Sequence, residues 1–234
     1  MKNLISCHFN YLFNKTFLIA IATVLILSVI GDILSVQLLA DIYGYREGNS
    51  LYFFNSFMIL RIVSGFLAIF LMGNSFHPKI DQYSCLLLTS GVSRFRYFTS
   101  KVLTLGIGGF LFVLGEYVIY LAVGWVGYRG FVFRSDDLVS FAHLFLLLLF
   151  YGYFGMLLVQ AFQNLYTIII PFSIMNIGML ISENPGSGIY NIYNFVFLGF
   201  EDESMHLVFG AFHALFLVMI ILIINFVFFR FKDL

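Results

Sequence analysis

Six long apolar stretches, separated by short polar ones, dominate the pattern of hydrophobic and polar positions along the chain. They cover approximately residues 17–39, 51–73, 102–127, 138–160, 166–182 and 206–229. A helix needs about 20 apolar residues to cross a bilayer, because each backbone N–H and C=O must find its hydrogen-bond partner within the segment. The pattern therefore predicts an all-α polytopic membrane protein, with six transmembrane helices in a single domain over residues 1–234.

Two further segments are too short to cross a membrane. Residues 1–15 place Ile5, Phe9 and Leu12 on one helical face, which predicts an amphipathic interfacial helix; a frayed polar N-terminus is the alternative. Between the fifth and sixth apolar stretches, residues 183–205 contain a turn, twelve largely apolar and aromatic residues and an acidic cluster. Twelve residues are too few to cross, so we expect an extracellular segment that re-enters the membrane or lies at its surface.

Composition and charge agree with this interpretation and orient the chain. The sequence is 61% hydrophobic and 10% charged, whereas soluble domains have about 25% charged residues. Basic residues near the ends of membrane helices stay on the cytoplasmic side. With the N-terminus inside, the cytoplasmic set would be Lys2, Lys15, Lys79, Arg94, Arg96, Lys101, Arg230 and Lys232, against Arg46, Arg129 and Arg134 outside. Both termini and residues 74–101 are therefore predicted to be cytoplasmic.

Residues 74–101 form the longest polar interruption and the largest predicted cytoplasmic loop. Pro78 suits the first turn of a helix. Ile80, Tyr83 and Leu87 then follow at positions i, i+3 and i+7, which predicts a short amphipathic helix over about residues 79–89. A solvated loop with incidental amphipathicity is the alternative. Such a helix could press on the membrane or fit a groove in another protein.

Sequence motifs exclude several kinds of chemistry. The chain contains no G-x-x-x-x-G-K-[ST] loop, no H-E-x-x-H, no G-x-S-x-G and no Cys/His cluster with metal spacing. Cys7 and Cys85 suggest neither a disulfide nor a metal site. Gly106 and Gly108 belong to a glycine-rich apolar stretch, so we interpret them as helix-packing residues rather than a nucleotide-binding motif. No catalytic residue, metal or cofactor is expected in this chain.

The central loop carries a pattern that is similar to a known family. The residues are Asp81, Leu87, Leu88, Val92, Ser93, Arg94, Tyr97 and Lys101. This order resembles the motif that follows the second span in ABC-2-type ABC transporter permeases, although Asp81 stands where glutamate is usual and Gly91 where proline is common. The resemblance implies a coupling helix that docks on a separate ATPase subunit. Its docking residues would be Ile80, Asp81, Tyr83, Leu87, Leu88, Val92, Ser93 and Arg94.

The resemblance implies a permease subunit of an exporter, with ATP and Mg²⁺ bound by the partner ATPase. Expected partners are two ATPase subunits, a second permease copy or a related permease, and the lipid bilayer, with no nucleic acid. The expected location is the plasma membrane of a bacterium. Short loops and aromatic-rich spans favour an amphipathic or hydrophobic substrate, such as a membrane-active peptide, a bacteriocin or a drug. A membrane-embedded enzyme such as an intramembrane protease, and a substrate-binding subunit of an importer, are the alternatives.

Three charged residues fall inside the apolar stretches: Asp32, Arg61 and Glu116. Such residues usually pair or line water, because an isolated charge in a bilayer costs several kcal/mol. Counted from the outer ends of their helices, Arg61 and Glu116 have similar depths. We therefore predict that Arg61 pairs with Glu116, with Asp32 nearby. The cluster would serve either as a structural strut or as part of the wall of an export path.

Overall fold

The computed structural model describes residues 2–12, 15–43, 48–77, 88, 91–127, 131–133, 135–181, 188–197 and 207–231. Within these ranges the regular structure is helical. The helices are α1 (Lys2–Leu12), α2 (Lys15–Tyr43), α3 (Gly48–Ser75), α4 (Arg94–Gly127), α5 (Ser135–Phe162), a 3₁₀ turn (Leu165–Ile168), α6 (Ile169–Ile181), α7 (Gly188–Phe197) and α8 (Leu207–Phe231).

Five of the described helices are long and apolar enough to cross a membrane. The segments are Leu18–Gln37, Asn55–Ser75, Arg94–Gly127, Asp137–Phe162 and Phe212–Phe231. Each contains at least 20 residues, and 20 helical residues rise about 30 Å, the thickness of a bilayer core. The all-α membrane architecture expected from the sequence is therefore confirmed at this level.

The predicted fifth span differs from the other five. Residues 166–182 correspond to the 3₁₀ turn and α6, and α6 has 13 residues, fewer than the roughly 20 that a span needs. Pro171 lies in the first turn of α6, where its missing N–H does not interrupt the helix. A sixth span through this segment remains a prediction.

Helices α3 and α5 form the centre of the described fold. Helix α3 packs against α2, α4, α5 and α6, and α5 also contacts α4 and α8. In the apolar segments of α3 and α5, 56% of the residues are buried, compared with 22% in α2 and 28% in α8. The outer helices therefore leave most of their apolar side chains for lipid or another protein.

Glycines bring α3 and α5 into close contact. A Cβ atom added at Gly155 on α5 would lie 2.8 Å from Ile69 Cγ2 on α3, closer than real side chains approach. The glycines of α4 were expected to serve the same purpose. Gly106 and Gly115 have looser contacts: an added Cβ would lie 3.5 Å from Tyr153 at Gly106 and 3.8 Å from Leu25 at Gly115. Gly124 is the exception on α4, since an added Cβ would lie 2.6 Å from Phe131, which lies outside the helices. The tightest packing of this kind is therefore on α3 and α5.

A buried amide pair joins α5 to α8. Gln160 Nε2 donates to Asn225 Oδ1 at 3.1 Å, and Asn225 Nδ2 donates to the Tyr153 carbonyl oxygen at 3.0 Å. Lipid offers no competing hydrogen bonds, so polar side chains of this kind can hold membrane helices together. This pair fixes α8 against the central helix α5.

Candidate functional site

One face of α2 carries buried polar side chains into the helix bundle. Val24, Ser28, Asp32 and Val36 are all buried, and each follows the previous one by four residues. Residues at i and i+4 lie on the same side of a helix. Since α2 packs against α3 and α4, this face brings Ser28 and Asp32 to the junction of three helices.

Glu116 of α4 meets this face of α2. Ser28 Oγ donates a hydrogen bond of 3.0 Å to Glu116 Oε1. Asp32 lies close enough to Glu116 for their charges to interact, and Ser56 of α3 lies beside the Asp32 carboxyl group. We call these four residues, Ser28, Asp32, Ser56 and Glu116, the acidic cluster. All four are at most 3% exposed.

Two stacked tyrosines extend the acidic cluster towards α5. The rings of Tyr52 and Tyr120 have centroids 5.1 Å apart, with 12° between their planes. Tyr52 Oη donates to the Tyr120 carbonyl oxygen at 3.0 Å, and Tyr120 Oη donates to Asp137 Oδ2 at 3.1 Å. Buried hydroxyl and carboxyl groups from α2, α3, α4 and α5 therefore form one polar region.

Arg61 lies elsewhere on α3. Its side chain is fully buried, and Arg61 Nη2 donates to the Met175 carbonyl oxygen of α6 at 3.1 Å. Tyr151 and Tyr193 are the tyrosines near its charge. Tyr193 Oη in turn donates to the Ile174 carbonyl oxygen at 2.6 Å. Arg61 thus helps to fasten α6 and α7 to the central helices.

The predicted Arg61–Glu116 pair is therefore not the arrangement in the described residues, where the two side chains have different partners. Helix geometry gives the reason. Ser56 and Arg61 are five residues apart, which turns their side chains about 140° from each other around the axis of α3. With Ser56 directed towards Asp32, Arg61 points to α6. The charges of Asp32 and Glu116, by contrast, interact with each other.

The sequence contains a signal for the residues that accompany these acids. Each of three helices carries a polar pair at i and i+4: Ser28 with Asp32, Tyr52 with Ser56, and Glu116 with Tyr120. Such spacing inside an apolar stretch indicates one polar stripe on the helix. The stripes, rather than the charges alone, would have identified the hydroxyl groups of the acidic cluster.

The predicted coupling segment is only partly described. Ile80, Asp81, Tyr83 and Leu87 lie outside the described residues, so the amphipathic helix over 79–89 stays a prediction. Leu88 and Val92 are half-buried against the apolar core, and Ser93 and Arg94 are exposed.

Local geometry explains the residues that end this loop. Gly91 has a φ of 91°, a conformation that proline, with φ near −65°, cannot adopt. Ser93 Oγ accepts a hydrogen bond of 3.3 Å from the Arg96 N–H, and the Ser93 carbonyl oxygen accepts one of 3.0 Å from the Tyr97 N–H. Ser93 is thus the N-cap of α4. Glycine in place of proline at position 91 follows from the shape of this turn.

The ends of four helices meet where this loop leaves and rejoins the bundle. Tyr97 at the start of α4 makes an edge contact with His8 of α1, at 5.0 Å between centroids, and stacks on Phe229 of α8 at 5.8 Å. Lys101 Nζ donates to Tyr97 Oη at 3.2 Å and lies 4.2 Å from the ring centroid of Phe76 at the end of α3. These five residues form what we call the aromatic cluster. Arg94 adds a hydrogen bond to the Arg230 carbonyl oxygen.

Comparisons with known proteins give no relative: no protein-family model matches the chain, and no curated protein matches it. Within the described residues, no group of three or more His, Cys, Asp or Glu side chains is placed to hold a metal ion. Within the described residues, we take the acidic cluster and the aromatic cluster as candidate sites.

Proposed function

We propose that this chain is the transmembrane permease subunit of an ABC-2-type exporter. It would move an amphipathic or hydrophobic substrate, such as a membrane-active peptide, a bacteriocin or a drug, out of a bacterial cell. A separate subunit would bind and hydrolyse ATP. The support comes from the loop residues that resemble the family motif, together with the packed aromatic side chains at the point where this loop leaves the bundle.

The aromatic cluster is the observation that carries this proposal. Helices α3 and α4 bracket residues 78–87, and Phe76 and Tyr97 hold the two helix ends together with α1 and α8. Phe76 lies 5.8 Å from Phe98 and 5.9 Å from Phe229, centroid to centroid. A displacement of the loop would therefore be passed to α3 and α4 together. These two helices also carry Ser56 and Glu116 of the acidic cluster.

The remaining details of the proposal follow from the sequence. The chain would cross the plasma membrane six times with both termini in the cytoplasm, α1 would lie on the membrane surface, and α7 would belong to a re-entrant segment. Two permease copies, or one copy and a related permease, would assemble with two ATPase subunits.

The exposed apolar faces of α2 and α8 favour a pathway between two permease subunits. One apolar cavity in the described part of the bundle is too small to be that pathway. It has a volume of about 40 Å³ and lies between α2, α3, α4 and α5, with Leu67, Phe112 and Leu148 among its apolar lining residues. For comparison, an apolar cavity of about 150 Å³ can bind benzene. This cavity is too small for the proposed substrates, whereas the exposed apolar faces of α2 and α8 could form a wall between subunits.

The docking prediction is tested by placing charges on the apolar face of the loop. We expect the double variant Tyr83→Asp, Leu87→Asp to lose co-purification with the ATPase and ATP-dependent transport, because two carboxylates would have to be desolvated in the docking groove. Phe133→Asp is the control, since Phe133 is exposed between α4 and α5, at the predicted outer side. If the double variant still co-purifies with the ATPase, the docking assignment is refuted.

One observation favours a second candidate, a membrane-embedded enzyme. Two buried acids, Asp32 and Glu116, lie near each other, as an acid-catalysed hydrolase would require. The variant Glu116→Gln distinguishes the two functions. An enzyme of this kind would lose peptide cleavage, whereas an exporter would still bind its ATPase. A neighbouring reading frame that encodes a P-loop ATPase would favour the exporter.

A further inference from the structure

The acidic cluster has more acceptor atoms than the described residues satisfy. Glu116 Oε1 is hydrogen-bonded to Ser28. Glu116 Oε2 and Asp32 Oδ2 are buried and have no hydrogen-bond partner among the described residues. Ser56 is 1% exposed and lies beside the Asp32 carboxyl group. Buried polar atoms in folded proteins almost always have a partner, so these two carboxyl oxygens point to a small bound species.

Positive side chains of the described residues lie away from this cluster. Arg61 is directed to α6, where it donates to the Met175 carbonyl oxygen. Lys101 belongs to the aromatic cluster and precedes Glu116 by 15 residues on the same helix, which corresponds to about 22 Å along the helix axis. Neither charge is placed to balance the two carboxyl groups.

The groups that do interact with Asp32 and Glu116 are neutral or acidic. Tyr52 on α3 and Tyr120 on α4 interact with Asp32. Further out, Tyr120 is bonded to Asp137 on α5. Two neighbouring carboxylates without a compensating charge repel each other, and burial removes the water that would stabilise them. A cation between them lowers both costs, because it attracts both carboxyl groups.

We propose that Asp32 and Glu116, together with the Ser56 hydroxyl group, bind one monovalent cation inside the membrane helices, either a proton or a sodium ion. Carboxylate and hydroxyl oxygens are suitable ligands for both. The inference rests on the contacts of α2, α3 and α4 and does not depend on the exporter function.

Infrared spectroscopy of the full-length chain in lipid nanodiscs tests this site. Spectra are recorded at pH 7 in choline chloride without sodium, and then in sodium chloride at the same ionic strength. If the site holds a proton, the C=O stretching band of a protonated carboxyl group is present in both salts. If it holds sodium, the band is present in choline and disappears in sodium, or the carboxylate bands shift in a saturable, sodium-dependent manner.

Variants assign these signals to the cluster. Glu116→Gln or Asp32→Asn should remove the protonated-carboxyl band or the sodium response, whereas Glu203→Gln, in the acidic segment before α8, should leave both unchanged. Either of the first two variants breaks the pair, so one suffices if the other does not fold. Ser56→Ala should weaken the sodium response or shift the carboxyl band.

Two results would overturn the proposal. One is a wild-type spectrum with neither a protonated-carboxyl band nor a sodium response, which would mean that both acids are ionised and balanced by a fixed charge of the protein. The other is a band or response that persists in Glu116→Gln and Asp32→Asn, which would assign it to another carboxyl group such as Asp137.

Discussion

A single hydroxyl group connects Glu116 to α2. Ser28 Oγ is 3.0 Å from Glu116 Oε1 and also 3.1 Å from the Val24 carbonyl oxygen of its own helix. Ser35, two turns later on α2, is also buried, but its hydroxyl donates only to the Gly31 carbonyl oxygen, at 2.8 Å. Both serines therefore donate a hydrogen bond to the carbonyl oxygen four residues earlier, and they differ in that Ser28 also contacts Glu116.

Because of this difference, we expect alanine to destabilise the protein more at position 28 than at position 35. Ser28→Ala should lower the free energy of unfolding by about 1–3 kcal/mol, because it removes a hydrogen bond to a buried carboxyl group. Ser35→Ala should lower it by less than about 0.6 kcal/mol. Unfolding of the purified variants in detergent, followed by circular dichroism, measures both. Equal losses would mean that the bond to Glu116 contributes nothing to stability.

The sequence predicts how deep the charged residues of the apolar stretches lie in the membrane, but not the direction in which they point around the helix axis. Counting along apolar stretches placed Arg61 and Glu116 at similar depths, with Asp32 nearby. The partner of Arg61 could not be found in this way, because it is a backbone carbonyl oxygen of Met175. Main-chain acceptors carry no signature in a sequence, and the rotation of α3 depends on how all its neighbours pack.

At the scale of helices, the start of α4 is a feature that local sequence can predict. Gly91 supplies a positive φ, and Ser93 caps the helix two residues later. A Cβ atom added at Gly91 would meet nothing within 4 Å. Any cost of a larger residue at this position therefore comes from the backbone conformation and not from packing.

Gly91→Ala should consequently destabilise the protein by about 1–2 kcal/mol, since a side chain disfavours this conformation. Gly91→Asn should cost less, because asparagine adopts such conformations more readily, and Gly91→Pro should cost more. Gly188→Ala is the matched control: an added Cβ there also meets open space, and Gly188 has no positive φ. Thermal unfolding compares the four variants, and an equal loss in Gly188→Ala would contradict the conformational explanation.

At the scale of the whole molecule, the described bundle has a buried centre and exposed flanks. The apolar patterns of α2, α3, α4, α5 and α8 were sufficient to predict five membrane-crossing helices. Pattern alone did not separate these from the shorter α6, because an apolar run of about 17 residues suits either a short span or a buried helix. Which side of the membrane each end faces follows only from the distribution of basic residues.

Accessible thiols test this orientation. Cys7 on α1 is exposed, so with Cys85→Ser as background it serves as a native reporter. We expect a membrane-impermeant maleimide to label Cys7 only after cells are permeabilised. Ser135→Cys, in a background with both native cysteines replaced, should be labelled in intact cells, since Ser135 is exposed at the start of α5, which follows the far end of α4. The reverse pattern would place residues 74–101 outside the cell and refute ATPase docking.

The aromatic cluster also orders the biosynthesis of the protein. Tyr97 can meet His8 as soon as α4 has entered the membrane, but Phe229 follows Tyr97 by 132 residues, which a ribosome adds in roughly 7 to 26 s at 5–20 residues per second. During this interval one face of Tyr97 remains open to membrane chaperones and proteases. Completion of α8 covers that face, so a chain that stalls before Phe229 leaves it exposed.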